Sequence, residues 1–187
     1  LPLLVFAASE LVFQNTDVLA VSFYLTPADV GMYFAAAKTM SLVMFVHFAV
    51  GSAMASRFST MDATGDKAGL KSLIREAVNL TFWPSLAMAV VIIAFGKQLL
   101  GLFAPEFTAG HPIMMIVAIG FLARAAMGPS EFILNTLGQQ RLCAMVLASA
   151  AALNIVLNLV LTPRFGAIGA ATATATSMTI AAVCNAI

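Results

Sequence analysis

Long apolar runs follow one another along this chain, separated by short polar or proline-containing segments. Because a helix needs about 20 apolar residues to cross the hydrocarbon core of a bilayer, this pattern predicts an all-α, polytopic membrane protein with six transmembrane helices. The predicted spans are residues 1–25, 29–58, 80–103, 108–137, 141–161 and a sixth that begins near Gly166. We interpret residues 1–187 as a single six-helix transmembrane lobe. Since the chain starts at Leu1 and stops within an apolar run, we expect it to be a fragment of a longer protein.

One segment departs from this apolar pattern. Over residues 62–79, apolar residues recur on one helical face and basic residues on another. The apolar positions are Leu70, Leu73, Ile74 and Ala77, and the basic positions are Lys67, Lys71 and Arg75. Such a helix suits the cytoplasmic-side membrane interface, where basic side chains approach anionic headgroups. A solvated face ahead of the third span explains the pattern equally well.

The composition supports the membrane assignment and excludes several functions. Hydrophobic residues make up 61% of the chain and charged residues only 9%, whereas a soluble domain carries about 25% charged residues. A formal net charge of +1 gives no electrostatic footprint for binding nucleic acid. The two cysteines lie in apolar runs without a CxxC motif or paired histidines, so we predict no metal and no cofactor.

Basic residues in the predicted loops indicate the orientation of the spans. One side receives Arg57, Lys67, Lys71, Arg75 and Arg141, and the other receives only Lys97 and Arg164. By the positive-inside rule the first side is cytoplasmic. Both ends of the chain are then expected on the cytoplasmic side of an inner membrane, and we expect the source to be a bacterium.

Charged side chains lie deep inside the first two spans. Glu10, Gln14 and Asp17 share one helical face. With Asp29 as the N-cap of the second helix, Asp17 and Lys38 both lie about 12–14 Å from the connecting turn, near the middle of the membrane. Charges at this depth usually face a bundle interior or an aqueous cavity and mark a pathway. An Asp17–Lys38 ion pair that only joins the two helices is an equally good interpretation.

The fourth span carries a second set of deep charges. Arg124 lies about 18 Å into this span, again near the midplane. The dipeptide Gly128-Pro129 predicts a kink, because proline removes a backbone donor. Glu131 follows Arg124 by seven residues, so the two side chains share a face and either pair across the kink or line a cavity.

Three further polar residues within the spans are interpreted as structural. His47 lies nine residues after Lys38 and therefore points to the opposite face, where packing or a buried hydrogen bond is expected. Asn154 and Asn158 are four residues apart on the fifth span, a spacing that predicts hydrogen bonds between packed helices.

Two stretches resemble a known family. NTDVLAVSFYLTPADVGMYFAAAKTMSL is similar to the opening of the second half of the polysaccharide transporters. LNTLGQQR, followed by LNIVLNLVLTPRFGAIGAATATATS, is similar to a later signature of the same family. These transporters, which include the O-antigen-type oligosaccharide flippases, belong to the multidrug/oligosaccharidyl-lipid/polysaccharide superfamily. The resemblance covers nearly the whole chain.

The resemblance implies the C-terminal lobe of a two-lobe transporter that flips lipid-linked oligosaccharides across the cytoplasmic membrane by alternating access. For an anionic diphosphate substrate we expect contacts from Arg124 first and Lys38 second, since both cations offset its desolvation. Carboxylates in a cavity can exchange protons or bind sodium, and the candidates for such coupling are Asp17, Glu10 and Glu131. Asp17, Gln14 and Asn15 are further candidates for substrate binding, the last two through sugar hydroxyls.

The expected partners are the lipid-linked oligosaccharide, membrane lipids, the N-terminal lobe of the same protein and polysaccharide polymerase machinery of lipopolysaccharide or exopolysaccharide biosynthesis. The alternative within the superfamily is a cation-coupled multidrug extruder. A polytopic membrane enzyme is a weaker alternative, because the chain lacks His-x-x-x-x-Asp, Asp-x-Asp and Gly-x-Ser-x-Gly motifs. We therefore predict a transporter without catalytic residues.

Overall fold

The structure, a computed structural model, describes residues 2–186, apart from the side chains of residues 2–7, 14 and 186. This part of the chain forms helices and turns without a strand, so the all-α class is confirmed. Its helices are α1 (Pro2–Tyr24), α2 (Pro27–Met40), α3 (Met44–Thr64), α4 (Lys67–Ala94), α5 (Gly96–Gly101), α6 (His111–Ala126), α7 (Ser130–Thr136) and α8 (Gln140–Ala186). Two 3₁₀ turns, Ser41–Val43 and Pro105–Gly110, lie between α2 and α3 and ahead of α6.

The turn between α1 and α2 is closed by a capping box. The Thr26 hydroxyl oxygen accepts a hydrogen bond from the Asp29 backbone N–H at 3.3 Å, and the Asp29 carboxylate accepts one from the Thr26 backbone N–H at 3.2 Å. Pro27 occupies the first helical position, where its missing N–H costs nothing. The prediction that Asp29 is the N-cap was wrong, because Thr26 takes that role and α2 begins two residues earlier.

The predicted second and third spans differ from the observed helices in their limits. The second continues through a 3₁₀ turn to Thr64, beyond the predicted end at residue 58. The third begins at Lys67 rather than at Leu80, and Pro84 lies inside it. With 28 residues, α4 is about 42 Å long and exceeds the thickness of the hydrocarbon core. Most of the predicted amphipathic segment is therefore the first part of α4, and its place at the membrane interface stays a prediction.

A single bend divides α8 into two arms, residues 140–165 and 167–186. Gly166 has φ 61° and ψ −143°, a conformation that side-chain-bearing residues rarely adopt. The Asn154 amide nitrogen lies 3.4 Å from the Thr174 hydroxyl oxygen, although 20 residues of straight helix would separate the two by about 30 Å. The arms of α8 therefore fold back on each other as an antiparallel hairpin.

The predicted count of six transmembrane helices is not confirmed. In the described part of the chain four helical stretches are long and apolar enough to cross a membrane: Pro27–Thr64, Lys67–Ala94, Pro105–Ala126 and Gln140–Asn185. If α1 is added and the two arms of α8 are counted separately, the number becomes six.

Glycines allow close contacts between the helices around the centre of the bundle. A Cβ atom at Gly120 on α6 would lie 2.9 Å from the Ala175 Cα atom on the second arm of α8. At Gly51 on α3 such an atom would overlap the Phe132 ring on α7. Because these glycines have no side chain, α6 lies directly against α8, and α3 against α7.

The predicted kink at Gly128-Pro129 is a break in the helix. The helix α6 ends at Ala126, Gly128 has φ +66°, and α7 begins at Ser130. The break allows the short helix α7 to take its own direction, so that Glu131 approaches Arg124.

Candidate functional site

A cavity of about 240 Å³ lies among α1, α2, α3, α6 and the second arm of α8. Four of its lining residues are charged: Glu10, Asp17, Lys38 and Arg124. Four others are aromatic: Phe13, Phe45, Phe48 and Phe121. The structure therefore brings together charged residues that the sequence analysis had assigned to two separate sets, one on the first two spans and one on the fourth.

Arg124 forms the centre of a buried charge cluster at this cavity. Its guanidinium Nη2 donates a hydrogen bond to Glu131 Oε2 at 2.5 Å and lies 3.7 Å from Glu10 Oε1. Arg124 is 7% exposed and Glu131 8%, so this pair is shielded from solvent. The pairing of Arg124 with Glu131 across the break, which was one of the two interpretations, is therefore present. The Glu10 contact, from α1, could not be read from spacing on one helix.

Asp17 is buried and accepts three hydrogen bonds. Its Oδ1 accepts from the Val18 backbone N–H at 2.8 Å. Its Oδ2 accepts from the Tyr33 hydroxyl at 2.7 Å and from the Thr174 hydroxyl at 3.3 Å. Donors from α1, α2 and α8 thus converge on one carboxylate, which offsets the cost of burying it.

Lys38 does not form the predicted ion pair with Asp17. Its side chain is exposed, its Nζ lies 5.5 Å from the centre of the Phe34 ring, and it takes part in none of the salt bridges found within residues 2–186. Because α2 begins two residues before Asp29, Lys38 lies about 3 Å further from the turn than expected. Lys38 still lines the same cavity as Asp17.

The remaining predicted site residues are Asn15, Glu131 and Gln14, of which the first two do not line the cavity. Asn15 is exposed, does not line the cavity and donates to the Leu11 carbonyl at 2.7 Å. Two helical positions separate it from Asp17, a rotation of about 200° that turns it to the opposite face. Glu131 reaches the cavity only through Arg124, and the side chain of Gln14 lies outside the described residues. The proposed roles of these three residues stay predictions.

Two residues at the site were missed in the sequence analysis. Tyr33 is fully buried and Thr174 is 7% exposed, and both donate to Asp17. Tyr33 lies six residues after the first residue of α2, about 9 Å from the turn, so a search for any polar side chain level with Asp17 would have found it. No comparable signal exists for Thr174, because its position depends on how the two arms of α8 fold back.

The three polar residues interpreted as structural are buried. Asn154 donates to Thr174 on the other arm and Asn158 donates to the Asn154 side chain at 2.8 Å, in agreement with the predicted hydrogen bonds between helices. His47 packs against the rings of Phe48 and Phe132. Both ring nitrogens of His47 are buried without a hydrogen-bond partner in the described part of the chain.

Comparison with known proteins identifies the family of this chain. The MatE family model matches residues 2–160. The chain belongs to the MatE family. MatE proteins are transporters, and the resemblance to the multidrug/oligosaccharidyl-lipid/polysaccharide superfamily is thereby confirmed.

Two curated relatives extend this assignment. This chain is 27% identical over 175 residues to the probable low-salt glycan biosynthesis flippase Agl15 of Haloferax volcanii. The alignment covers 91% of this chain and 36% of the relative. The chain is 26% identical over 142 residues to an uncharacterized membrane protein of Methanocaldococcus jannaschii, covering 74% of this chain and 28% of the relative. The chain thus spans about a third of the length of these relatives. No solved structure matches it significantly.

Proposed function

We propose that this chain supplies one wall of the cavity of a transporter that flips lipid-linked oligosaccharides across the cytoplasmic membrane by alternating access. The observation that carries the proposal is a cavity lined by the exposed cation Lys38, with Arg124 and its carboxylates beside it, in a MatE chain similar to a probable glycan biosynthesis flippase. A substrate with an anionic diphosphate needs fixed cations to replace its hydration when it enters a membrane.

Lys38 is the first candidate for contact with the diphosphate. It is exposed and does not belong to the ion pairs of the described residues, so its ammonium group can bind an anion without first releasing a carboxylate. Arg124 already holds Glu131 and lies near Glu10. The order of the two cations is therefore the reverse of the order expected from the sequence.

Arg124 has a conditional role in this proposal. Two carboxylates near one guanidinium leave it no net positive charge for a phosphate. If protons or sodium ions neutralise both Glu10 and Glu131, the Arg124 charge becomes available, because its fork of N–H donors matches phosphate as well as carboxylate. Asp17 is the third candidate for such coupling, since it lines the same cavity.

The orientation of the chain in the membrane and its partners are part of the same proposal. We assign the side that carries Arg57, Lys67 and Lys71 to the cytoplasm, because basic residues accumulate in cytoplasmic loops. The partners are then a second lobe of the same protein and the polymerase that uses the flipped oligosaccharide. A bacterial source stays a prediction.

The proposal is tested by complementation. The full-length protein is produced in a host that lacks its own polysaccharide flippase, with Lys38→Ala, Lys38→Arg and Lys97→Ala variants at equal membrane levels. Lys38→Ala is expected to reduce surface polysaccharide about tenfold, the effect of about 1.4 kcal/mol, whereas Lys38→Arg retains most of it. Lys97→Ala changes a lysine outside the cavity and is expected to export normally. Full export by Lys38→Ala would contradict the assigned contact, and no export by the unchanged protein would contradict the proposed substrate.

A cation-coupled multidrug extruder is the second candidate, and one observation favours it. The cavity combines four phenylalanine rings with the carboxylates of Glu10 and Asp17, which suits aromatic cations. The same flippase-deficient host distinguishes the two functions. An extruder would lower the accumulation of a fluorescent cationic dye in this host without restoring surface polysaccharide. Loss of dye efflux in Asp17→Asn, with export absent throughout, would favour the extruder.

A further inference from the structure

A continuous chain of buried hydrogen bonds runs from the bend of α8 to the cavity. The Thr162 hydroxyl donates to Asn158 Oδ1 at 3.2 Å, and the Asn158 amide donates to Asn154 Oδ1 at 2.8 Å. The Asn154 amide then donates to the Thr174 hydroxyl oxygen at 3.4 Å, and this hydroxyl donates to Asp17 Oδ2 at 3.3 Å. The exposed fraction of each of the five side chains is 7% or less.

We call the five side chains Thr162, Asn158, Asn154, Thr174 and Asp17 the relay. Its four hydrogen bonds all point in the same direction. Each side chain donates to the next, and the last acceptor is a carboxylate. Aligned donors polarise one another, so each link strengthens the following one.

Each link also fixes the orientation of its neighbour. Asn158 donates both to the side chain and to the backbone carbonyl of Asn154, so neither amide can rotate without losing a buried bond. The amide of Asn154 in turn occupies a lone pair of the Thr174 hydroxyl and leaves its proton for Asp17. The orientation of the Thr174 hydroxyl is therefore determined outside the cavity.

The two ends of the relay belong to different parts of the fold. Asp17 lines the cavity, whereas Thr162 directly precedes Pro163 and lies four residues before the bend at Gly166. Thr162 is eight residues, or about 12 Å, along the first arm from Asn154, which itself contacts Thr174. Contact between Thr162 and Asp17 therefore runs through three intermediate side chains.

We propose that Thr162, Asn158, Asn154 and Thr174 are positioning residues that act on the Asp17 carboxylate and couple it to the bend of α8. The inference rests on the proposed function, in which Asp17 is a candidate for coupling. When Asp17 binds a proton or a cation, it no longer accepts the last hydrogen bond with full strength, and the preference of the whole relay for one direction weakens. The bend of α8 thereby responds to the occupancy of the cavity.

A double-mutant cycle on the purified full-length protein tests the relay. Thr162→Val removes the first donor at nearly constant shape, and Asp17→Asn replaces the last acceptor by a group that can donate. Thr162→Val is expected to lower the thermal midpoint by about 1–2 °C when residue 17 is aspartate and by less than half as much when it is asparagine. Thr162→Ser, which keeps the hydroxyl, is expected to restore the midpoint.

Thr172→Val is the matched control. Thr172 lies on the second arm of α8 but donates to the Ile168 and Gly169 carbonyls of its own helix. The effect of Thr172→Val on the thermal midpoint should be the same whether residue 17 is aspartate or asparagine. Equal effects of Thr162→Val in both backgrounds would overturn the relay, because separate sites contribute additively.

Two further measurements keep the result unambiguous. If the Asp17→Asn protein does not fold, Thr174→Val takes its place in the cycle, and equal Thr162→Val shifts with and without that change overturn the proposal. Export in the flippase-deficient host is measured for the same variants. A non-additive cycle in a protein that exports no polysaccharide would support the relay while contradicting the proposed substrate, so the two failures are distinguishable.

Discussion

The hydroxyl of Tyr33 on α2 donates a 2.7 Å hydrogen bond to the carboxylate of Asp17 on α1. The bond joins the two helices at a depth where an unpaired carboxylate would be costly. The Asp17–Lys38 ion pair, one of the two interpretations drawn from the sequence, is absent from the salt bridges of residues 2–186, and the Lys38 side chain is exposed at the cavity. Asp17 is thus held by protein donors, whereas Lys38 is accessible from the cavity.

Tyr33→Phe removes only the hydroxyl of this bond. We expect the free energy of unfolding to fall by about 1.5–3 kcal/mol, because the lost hydrogen bond ends on a charged, buried group. Thermal or denaturant unfolding of the purified protein measures the change. Tyr24→Phe, at the chain's other tyrosine, which is 40% exposed, should have no measurable effect. Equal stability of the Tyr33→Phe and unchanged proteins would show that Asp17 does not depend on this donor.

Arg124→Met leaves Glu131 buried without its cation. The expected cost is about 3–5 kcal/mol of unfolding free energy, whereas adding Glu131→Leu should restore part of it, because the more deeply buried of the two carboxylates near Arg124 is then gone. A double-mutant cycle measures this recovery. The exposed pair Arg57–Glu76, 3.9 Å apart, provides the control, for which a coupling of at most about 1 kcal/mol is expected. A double variant less stable than Arg124→Met would contradict the pairing.

Lys38→Cys is expected to react with a membrane-impermeant thiol reagent, in a full-length protein in which Cys143 and Cys184 have been replaced. The expectation follows from the exposure of Lys38 at the cavity. Cysteines at positions 17 and 124, which are buried, should react more slowly. Val90→Cys lies at an exposed position of α4 that does not line the cavity, and lipid should protect it. Lack of reaction at position 38 from either side of the membrane would exclude an aqueous cavity there.

Gly120→Ala is expected to destabilise the contact between α6 and α8. The new Cβ atom would meet the backbone of Ala175, which cannot move independently, and we expect a cost of about 1–3 kcal/mol. Gly101→Ala is the matched control, because its Cβ atom would lie 3.6 Å from the nearest Thr108 atom, an ordinary contact. Unfolding midpoints of the two variants provide the comparison. Equal midpoints would show that α6 and α8 can separate at no cost.

The sequence predicts the helices of this protein well and their partners poorly. Apolar runs and a turn at Thr26-Pro27 locate α1 and α2, and the seven-residue spacing of Arg124 and Glu131 is enough to predict a pair along one span. Contacts between spans depend on how far each helix is rotated about its own axis. The hydrogen-bond partner of Asp17 on α2 is Tyr33 and not Lys38, although the two residues are only five positions apart on that helix.

Two features were beyond any pattern in the sequence. The approach of Glu10 to Arg124 depends on how α1 and α6 are placed around a shared cavity. The contact of Thr174 with Asp17 depends on the fold-back of α8, since 157 residues separate the two in the chain. In the sequence, the residue types and positions of Glu10 and Thr174 are equally compatible with a role in helix packing. Only the three-dimensional arrangement shows that both residues belong to the site.

The bend at Gly166 has a consequence for the evolution of this protein by insertion and deletion. One residue added between Gly166 and Thr174 would rotate everything beyond it by about 100° around the helix axis and shift it by about 1.5 Å. Thr174 would then turn away from both Asn154 and Asp17, even though every side chain of the cavity were unchanged. The length of this short stretch, and not only its residues, is therefore under constraint, and homologous chains that keep Asp17 should tolerate substitutions there more readily than changes in length.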